Sequence, residues 1–559
     1  MRREPALNIP WLLQGDISIP KLASNLVLAL GLFLALGLSA CGGQTTKADQ
    51  AAQNGILIIG NGADPKTLDP HLLIGMPEAN IVSALSEGLV VPDPDSVNEV
   101  RPGVAERWVH SSDFRRWTFH LRKDARWSDG TPVTAQDFVY GFHRMLTPEL
   151  GAEGADLLHV IRNARAFNRG EIDDFGQVGV AAPDTHRLEL TLEYPAPYLL
   201  PMLAGTNFFP VNRAAVEAGG DMGDSQNRWA SAGNYVGNGP FLLSEWHVNR
   251  FILLERNPQY WDAANVALNG IRFVPIEDPA AEVDAFLKGE LHVTQTIPEG
   301  SVAELTRTHP DSVMREDMLG AYVYTLNVRS PPFDDLRVRK ALALAIDRTS
   351  LVNELKSGQK PIGGFVPPGI PGYDAVPAPA PNLAAARELL AQAGYPGGRG
   401  FPRLSVLVNR YPFHETVARI VTRQWQDGLG IKVSVQAEPW KDYLDSTGDG
   451  DFQIARSGWV AGYYDPGTFL DIMVTDGLNN ESGWSDPAYD ALLAKARQTA
   501  DRPTRLALMR EAEDMMLAQQ PVIPLMNYSQ TYLLDPRVKG WGNSINGNHV
   551  YKFISFATN

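Results

Sequence analysis

One cysteine, Cys41, stands among 559 residues. An intramolecular disulfide and a cysteine-based metal cluster are thereby excluded. The eleven histidines give no metal pattern either. None has H-x-x-x-H or H-E-x-x-H spacing, and the nearest pair in sequence is His110 and His120. No G-x-S-x-G nucleophile elbow occurs. Gly60 and Gly62 lack the third glycine, or the Gly-Lys-Ser/Thr, that a dinucleotide or phosphate loop needs. Positive charge is scarce: 49 Lys and Arg face 64 Asp and Glu, for a net charge of −15. An acidic chain repels phosphate backbones, so nucleic acid is not an expected partner. No apolar run reaches the roughly 20 residues of a membrane helix. No metal, cofactor or catalytic residue is expected, although 64 acids leave a paired-carboxylate hydrolase open as an alternative.

What is present is the composition of a soluble globular chain, 44% hydrophobic and 20% charged. Its length exceeds one core, so two or three domains are expected. Residues 26–38 are an apolar run of 13, preceded by Lys21, Arg2 and Arg3 and followed by Ser39, Ala40 and Cys41. Basic start, short apolar core and small residues before a cut site read as a signal peptide over residues 1–40. The long stretch before the apolar core points to a start codon downstream of Met1. Residues 42–54 are small and polar and read as a flexible tether.

Further along, residues 55–60 form an apolar run with the look of a buried strand. Trp117, Phe119 and Leu121 alternate with polar residues, as do Leu188, Leu190 and Leu192, which predicts two half-buried strands. Thr134 is an N-cap whose third-following residue is Asp137, opening a helix with Phe138, Phe142 and Met145 on one face. A strand is predicted over residues 322–327, then a helix with Val338, Leu342 and Ile346 on its apolar face. Residues 361–381 hold seven prolines and four glycines and read as an extended loop. Asn382 then caps a helix that stops at Gly394. Residues 403–436 give the clearest unit. Leu404, Val406 and Val408 alternate; a helix follows with Val417, Ile420, Val421 and Trp425 as its stripe; Ile431, Val433 and Val435 alternate again. That is a parallel βαβ crossover, and ligands commonly sit at the strand ends of such units.

His414 at the start of the βαβ helix and Trp440 beyond its second strand fall at that edge. From Trp440 the chain runs to Leu470 with two indoles, one guanidinium, two adjacent tyrosines and a glycine-rich turn. Aromatic faces around one charge suit a concave ligand site. R-S-G-W at 456–459, followed by a short turn, D-P and F-L, resembles the cleft segment of oligopeptide-binding proteins. These belong to family 5 of the bacterial extracytoplasmic solute-binding proteins, which feed peptide ABC importers. D-P-K-T-L-D-P-H at 64–71, W-S-D-G-T-P-V-T-A-Q-D-F-V at 127–139 and N-Y-V-G-N-G-P-F-L-L at 234–243 carry the same resemblance, and extend it over nearly all of the chain after residue 55. L-S-A-C at 38–41 resembles the lipobox of bacterial lipoproteins, with Cys41 as the lipidated first residue.

The resemblance implies a bilobal α/β periplasmic-binding-protein-like fold of type II, with mixed sheets and an extra inserted domain. The expected organisation is a lipid-anchored tether over 41–54, a discontinuous domain I over 55–88, 212–315 and 525–559, an inserted domain II over 89–211, and domain III over 316–524. It implies a monomeric, membrane-anchored extracytoplasmic receptor, not an enzyme, that takes a peptide ligand and hands it to permease subunits in the inner membrane. A receptor that passes its ligand on without transport is the other non-enzymatic reading. Arg456 and His414 fall on the family's basic positions facing the ligand carboxylate, and Trp440 and Trp459 on its pocket walls. Val460, Ala461 and Gly462 continue the cleft segment. There the chain departs from its relatives: the family turn reads W-x-x-D, with the aspartate on the ligand's amine, and here Gly462 stands in its place. Two outcomes are open. Asp465 replaces the lost acid, or the ligand lacks a free amine, as in a modified peptide or another solute; the retained basic positions Arg456 and His414 favour the second.

Overall fold

The computed structural model describes residues 45–557 except Ile74, Val97, Asn98, Leu478 and residues 543–546. The signal segment and Cys41 lie outside the described residues. The first described element is a helix, α1 (Lys47–Gln53), where the sequence predicts a flexible tether. Seven residues do not hold a helix in water by themselves; this one is held by distant partners. The Ala48 N–H donates to Gly289 O at 2.8 Å, and its carbonyl accepts from His292 Nε2 at 2.9 Å. Lys47 pairs with Glu290 at 2.9 Å and Asp49 with Arg537 at 2.8 Å.

β1 (Ile56–Gly60) follows, then α2 (Met76–Leu85). The chain next builds the inserted domain around β2 (Ala105–His110), β3 (Arg116–Leu121), α3 (Ala135–Leu146), β4 (Val180–Asp184) and β5 (Arg187–Thr191). Its sheet is antiparallel, in the order β2-β3-β5-β4. The alternating Trp117, Phe119 and Leu121 turn inward with Leu188 and Leu190 to a core shared with Phe138, Phe142 and Met145 of α3. The capping box forms: the Thr134 N–H and hydroxyl both donate to the Asp137 carboxylate, at 2.7 and 2.9 Å.

Arg144 of α3 fastens this domain to the first lobe. Its buried guanidinium donates twice to Asp69, at 2.6 and 2.9 Å, and once to His71 Nδ1 at 3.0 Å. Trp229 Nε1 donates to the same Asp69 at 2.9 Å. Burial and the neighbouring Arg144 push the His71 imidazole down to about 4, so it stays a neutral acceptor. The chain then returns as β6 (Phe241–His247), β7 (Phe251–Arg256) and β8 (Gly270–Val274). With β1 they make a mixed sheet, in the order β1-β8-β7-β6 and with β1 parallel to β8.

β9 (Val313–Leu326) is a 14-residue strand, much longer than the alternation at 322–327 predicts. Beyond it, the predicted crossover is present: β10 (Leu404–Asn409), α4 (Pro412–Leu429) and β11 (Val433–Glu438), with β10 and β11 parallel. Val417, Ile420, Val421 and Trp425 are buried under it. The chain continues through α5 (Trp440–Asp449), β12 (Ile454–Val460), α6 (Arg502–Gln519) and β13 (Val522–Leu533). The second lobe's sheet runs β11-β10-β12-β9-β13.

β9 and β13 pair antiparallel from Val313↔Leu533 to Thr325↔Val522, with the register broken between Asp317 and Ala321. One end of this ribbon joins the first lobe, where Leu534 bridges Val293 and the Leu533 N–H reaches Thr294. The other end lies inside the second sheet. The ribbon therefore runs from one lobe into the other.

Candidate functional site

The site is built where β12 loses a neighbour. β12 pairs with β10 only at Val406↔Ile454 and Leu407↔Ala455. From Arg456 onward, that edge of the strand has no strand partner among the described residues, while the other edge stays paired with β9 through Val460. An extended chain can add to such an edge through main-chain hydrogen bonds.

Arg456 lies at the start of the free edge and is largely enclosed by tyrosines. Its guanidinium donates to the Tyr528 hydroxyl and lies 5.2 Å from the centre of the Tyr322 ring. The Tyr443 hydroxyl donates to the Arg456 carbonyl. Burial holds the Tyr322, Tyr443 and Tyr528 phenols above their ordinary value, so none of them supplies a negative charge. Among the described residues Arg456 forms no salt bridge, and its Nε has no partner. Glu481, bonded to Thr447, feels the Arg456 charge at longer range. A half-buried cation without a counter-ion is less stable than the same cation facing an anion.

The second predicted basic position does not share this charge. His414 is 7% exposed, with Nδ1 3.3 Å from the Tyr322 hydroxyl. Burial and the nearby Arg456 push its imidazole down to about 3. It is a neutral ring wedged among Tyr322, Tyr411 and Phe413, not a cationic surface histidine.

Trp440 opens α5 and is 56% exposed, its indole stacked on Tyr443 at 5.7 Å. It lies at the rim of the Arg456 cluster rather than inside a wall. Trp459 is half-buried, and its Nε1 donates to Thr468 Oγ1 at 3.2 Å. Val460 is exposed at the strand end, and Ala461 is buried with its N–H on Leu319 O at 2.8 Å. Gly462 faces open space: a Cβ built there meets nothing within 4 Å.

Asp465 is turned away from that space. It is 1% exposed, and it accepts two bonds from Arg505, at 2.5 and 2.8 Å, and one from the Gly467 N–H at 2.9 Å. The possibility that Asp465 stands in for an acid at 462 is corrected on this geometry, since freeing it would strand a buried guanidinium. Gly467 is required here, because a Cβ would come within 2.8 Å of Asp465 Oδ1.

Several functional contacts have no local signal in the sequence. Tyr528 comes from β13 and packs against Gly320 and Gly458, where a Cβ would come within 2.9 Å of its ring and 2.4 Å of its hydroxyl respectively. Tyr463 leaves the second lobe and stacks on Tyr198 of the inserted domain, with ring centres 5.3 Å apart and planes within 11°. The adjacent tyrosines are visible in the sequence, but their partner is not. Past Gly462 the two lobes and the inserted domain enclose a cavity, which Gly462, Tyr463 and Tyr464 border on one side and Ser83, Phe209 and Trp541 on the other. No group of acids, histidines or cysteines among the described residues is arranged to hold a metal ion.

The profile of the bacterial extracellular solute-binding proteins, family 5 Middle, matches residues 99–481. The periplasmic oligopeptide-binding protein OppA of Salmonella typhimurium is 35% identical, over 90% of this chain and 92% of its own. The periplasmic murein peptide-binding protein MppA of Escherichia coli is 36% identical, over 86% of this chain and 88% of its own. Among solved structures, Haemophilus influenzae OppA in complex with the peptide RPPGFSPFR superposes with a TM-score of 0.77 at 31% identity, covering 90% of this chain and 99% of that one.

Proposed function

The chain belongs to the bacterial extracellular solute-binding proteins of family 5, and from that premise we propose that it captures oligopeptides between its lobes and delivers them to an ABC importer. Its fold is the bilobal type II fold of periplasmic peptide-binding proteins. The observation that carries the reading is Arg456, a half-buried cation enclosed by tyrosines with an unpartnered Nε, at the start of a strand edge left open for an added chain. A peptide answers both features at once. Its main chain pairs along residues 457–460 without regard to side chains, and its carboxylate meets the guanidinium. Trp440 and Trp459 flank that edge with flat apolar area. The names of the relatives, oligopeptide-binding and murein peptide-binding, point the same way.

The chain catalyses nothing in this reading; other subunits of the importer consume ATP. The two-strand ribbon of β9 and β13 lets the lobes close on the ligand, and the closed shape is what the permease reads. Mass spectrometry of the protein purified under native conditions is expected to find copurified peptides. Removing and restoring them should raise and lower the radius of gyration in small-angle scattering. Turnover of a peptide or glycan would overturn the reading in favour of a hydrolase, and an unchanged radius at saturation would leave a rigid binder.

The protein acts as a monomer held at the membrane through lipid on Cys41, a proposal motivated by L-S-A-C after the apolar run. Labelled fatty acid is expected to enter the wild-type chain and not Cys41→Ser. Equal label in both would remove the anchor from the proposal.

A further inference from the structure

The cavity beyond Gly462 has a chemistry of its own. Its walls include Val91, Pro92, Pro201, Ala204, Phe209 and Val550, all apolar. Its charged groups are mostly committed to one another. Lys552 donates to Glu87 at 2.8 Å, and Trp261 Nε1 donates to the same carboxylate at 2.7 Å. Asp93 is held by Arg101 at 2.9 Å. Glu99 is exposed. Burial pushes His549 down to about 4 and its Nδ1–H is bonded to Trp541 O at 2.8 Å, so that ring is neutral. Glu87 and Asp93 are already paired, so an ammonium placed here would leave water and meet only the exposed, solvent-screened carboxylate of Glu99, which is unfavourable. An apolar group would lose only its contact with water.

The direction of the bound chain follows from Arg456. With its carboxylate at that guanidinium, an extended peptide runs along the open edge of β12, and its amino end arrives at Gly462 about 20 Å away at strand rise. No side chain at 462 closes the way onward. We propose that the cavity receives an uncharged apolar cap on the amino end of the peptide, so that the preferred ligands are N-acylated peptides. The inference rests on the peptide-binding reading and adds the chemical class of the ligand's far end.

Calorimetry on the full-length chain with hexa-alanine, N-acetyl-hexa-alanine and N-octanoyl-hexa-alanine, whose six residues span the distance, tests it. The octanoyl form is expected to bind thirtyfold or more tighter than the free amine, with the acetyl form between them. If the free amine binds as tightly as the octanoyl form, or tighter, the cavity inference is overturned while the peptide reading stands. If none of the three binds, both fall. Two variants read the cavity directly. Ala204→Phe fills it, and the ratio of octanoyl to free affinity is expected to fall toward one. Gly462→Asp sets an anion at its mouth, and the ratio is expected to invert in favour of the free amine. A folding defect lowers both affinities together and leaves their ratio unchanged, so an unchanged ratio in both variants also overturns the inference.

Discussion

Arg456→Met is expected to weaken binding of a peptide with a free carboxylate by a hundredfold or more, about 3 kcal/mol. The loss should be matched in the wild-type protein by amidating the peptide's carboxyl end, and the variant should be indifferent to that amidation. Ligand-free stability is expected to move the other way. The guanidinium is enclosed by neutral phenols, forms no salt bridge among the described residues and has an unpartnered Nε. Methionine removes that unsatisfied charge and fills much of the same volume. A residue kept for function and held at a cost to the fold gives this pair of signs: affinity down, melting temperature unchanged or up. Thermal unfolding and calorimetry on one preparation check both. Equal binding of acid and amide by the wild type would end the assignment of Arg456 to the ligand carboxylate.

Arg505→Met is expected to do the reverse, lowering stability by roughly 3–5 kcal/mol. Both ends of the Asp465–Arg505 pair are 2% exposed, and their two bonds leave neither partner an alternative in water. Arg505 also lies 5.0 Å from the ring of Tyr198, so its loss loosens the contact between the second lobe and the inserted domain. The single variant leaves a carboxylate buried beside Gly467. Adding Asp465→Leu removes that charge, and the double variant is expected to regain most of the lost stability. The coupling between the two changes is the quantity to measure. Additive losses would mean that Asp465 is free of Arg505 in solution, and would reopen its role as an acid for the ligand.

Where the determinants are local, the sequence carries them. Leu404, Val406 and Val408 alternate because one sheet face is buried, and the βαβ unit follows from that period and a helical stripe. Asp137 completes the Thr134 cap three residues away. What stays hidden depends on partners far along the chain. α1 has no apolar stripe to announce it; Gly289, His292 and Arg537 hold it. His414 reads as a basic ligand-facing position at a helix start until Tyr322 and Arg456 close over it. Asp465 reads as a free acid beside a proline, and Arg505, on a helix 40 residues on, decides otherwise. β9 shows only its apolar half to periodicity, because residues 313–317, Val-Met-Arg-Glu-Asp, pair with β13 beyond the register break and put polar Arg315, Glu316 and Asp317 in succession.

The ribbon that joins the lobes also sets an order of folding. Val313 must wait for Leu533, and β1 waits for β8, whose Gly270 pairs with Ile56. The two halves of the ribbon lie about 200 residues apart in the chain, so their pairing has to close a long loop. Everything between them belongs to the second lobe and can collapse on its own short-range crossover first. The first lobe is then sealed last, by the returning strand and the terminal segment that pairs Val538 with Phe556. Long-range pairings of this kind are slow to form and leave sheet edges uncovered until they do. Chain loss near residue 533 would therefore leave an assembled second lobe attached to an unfinished first one.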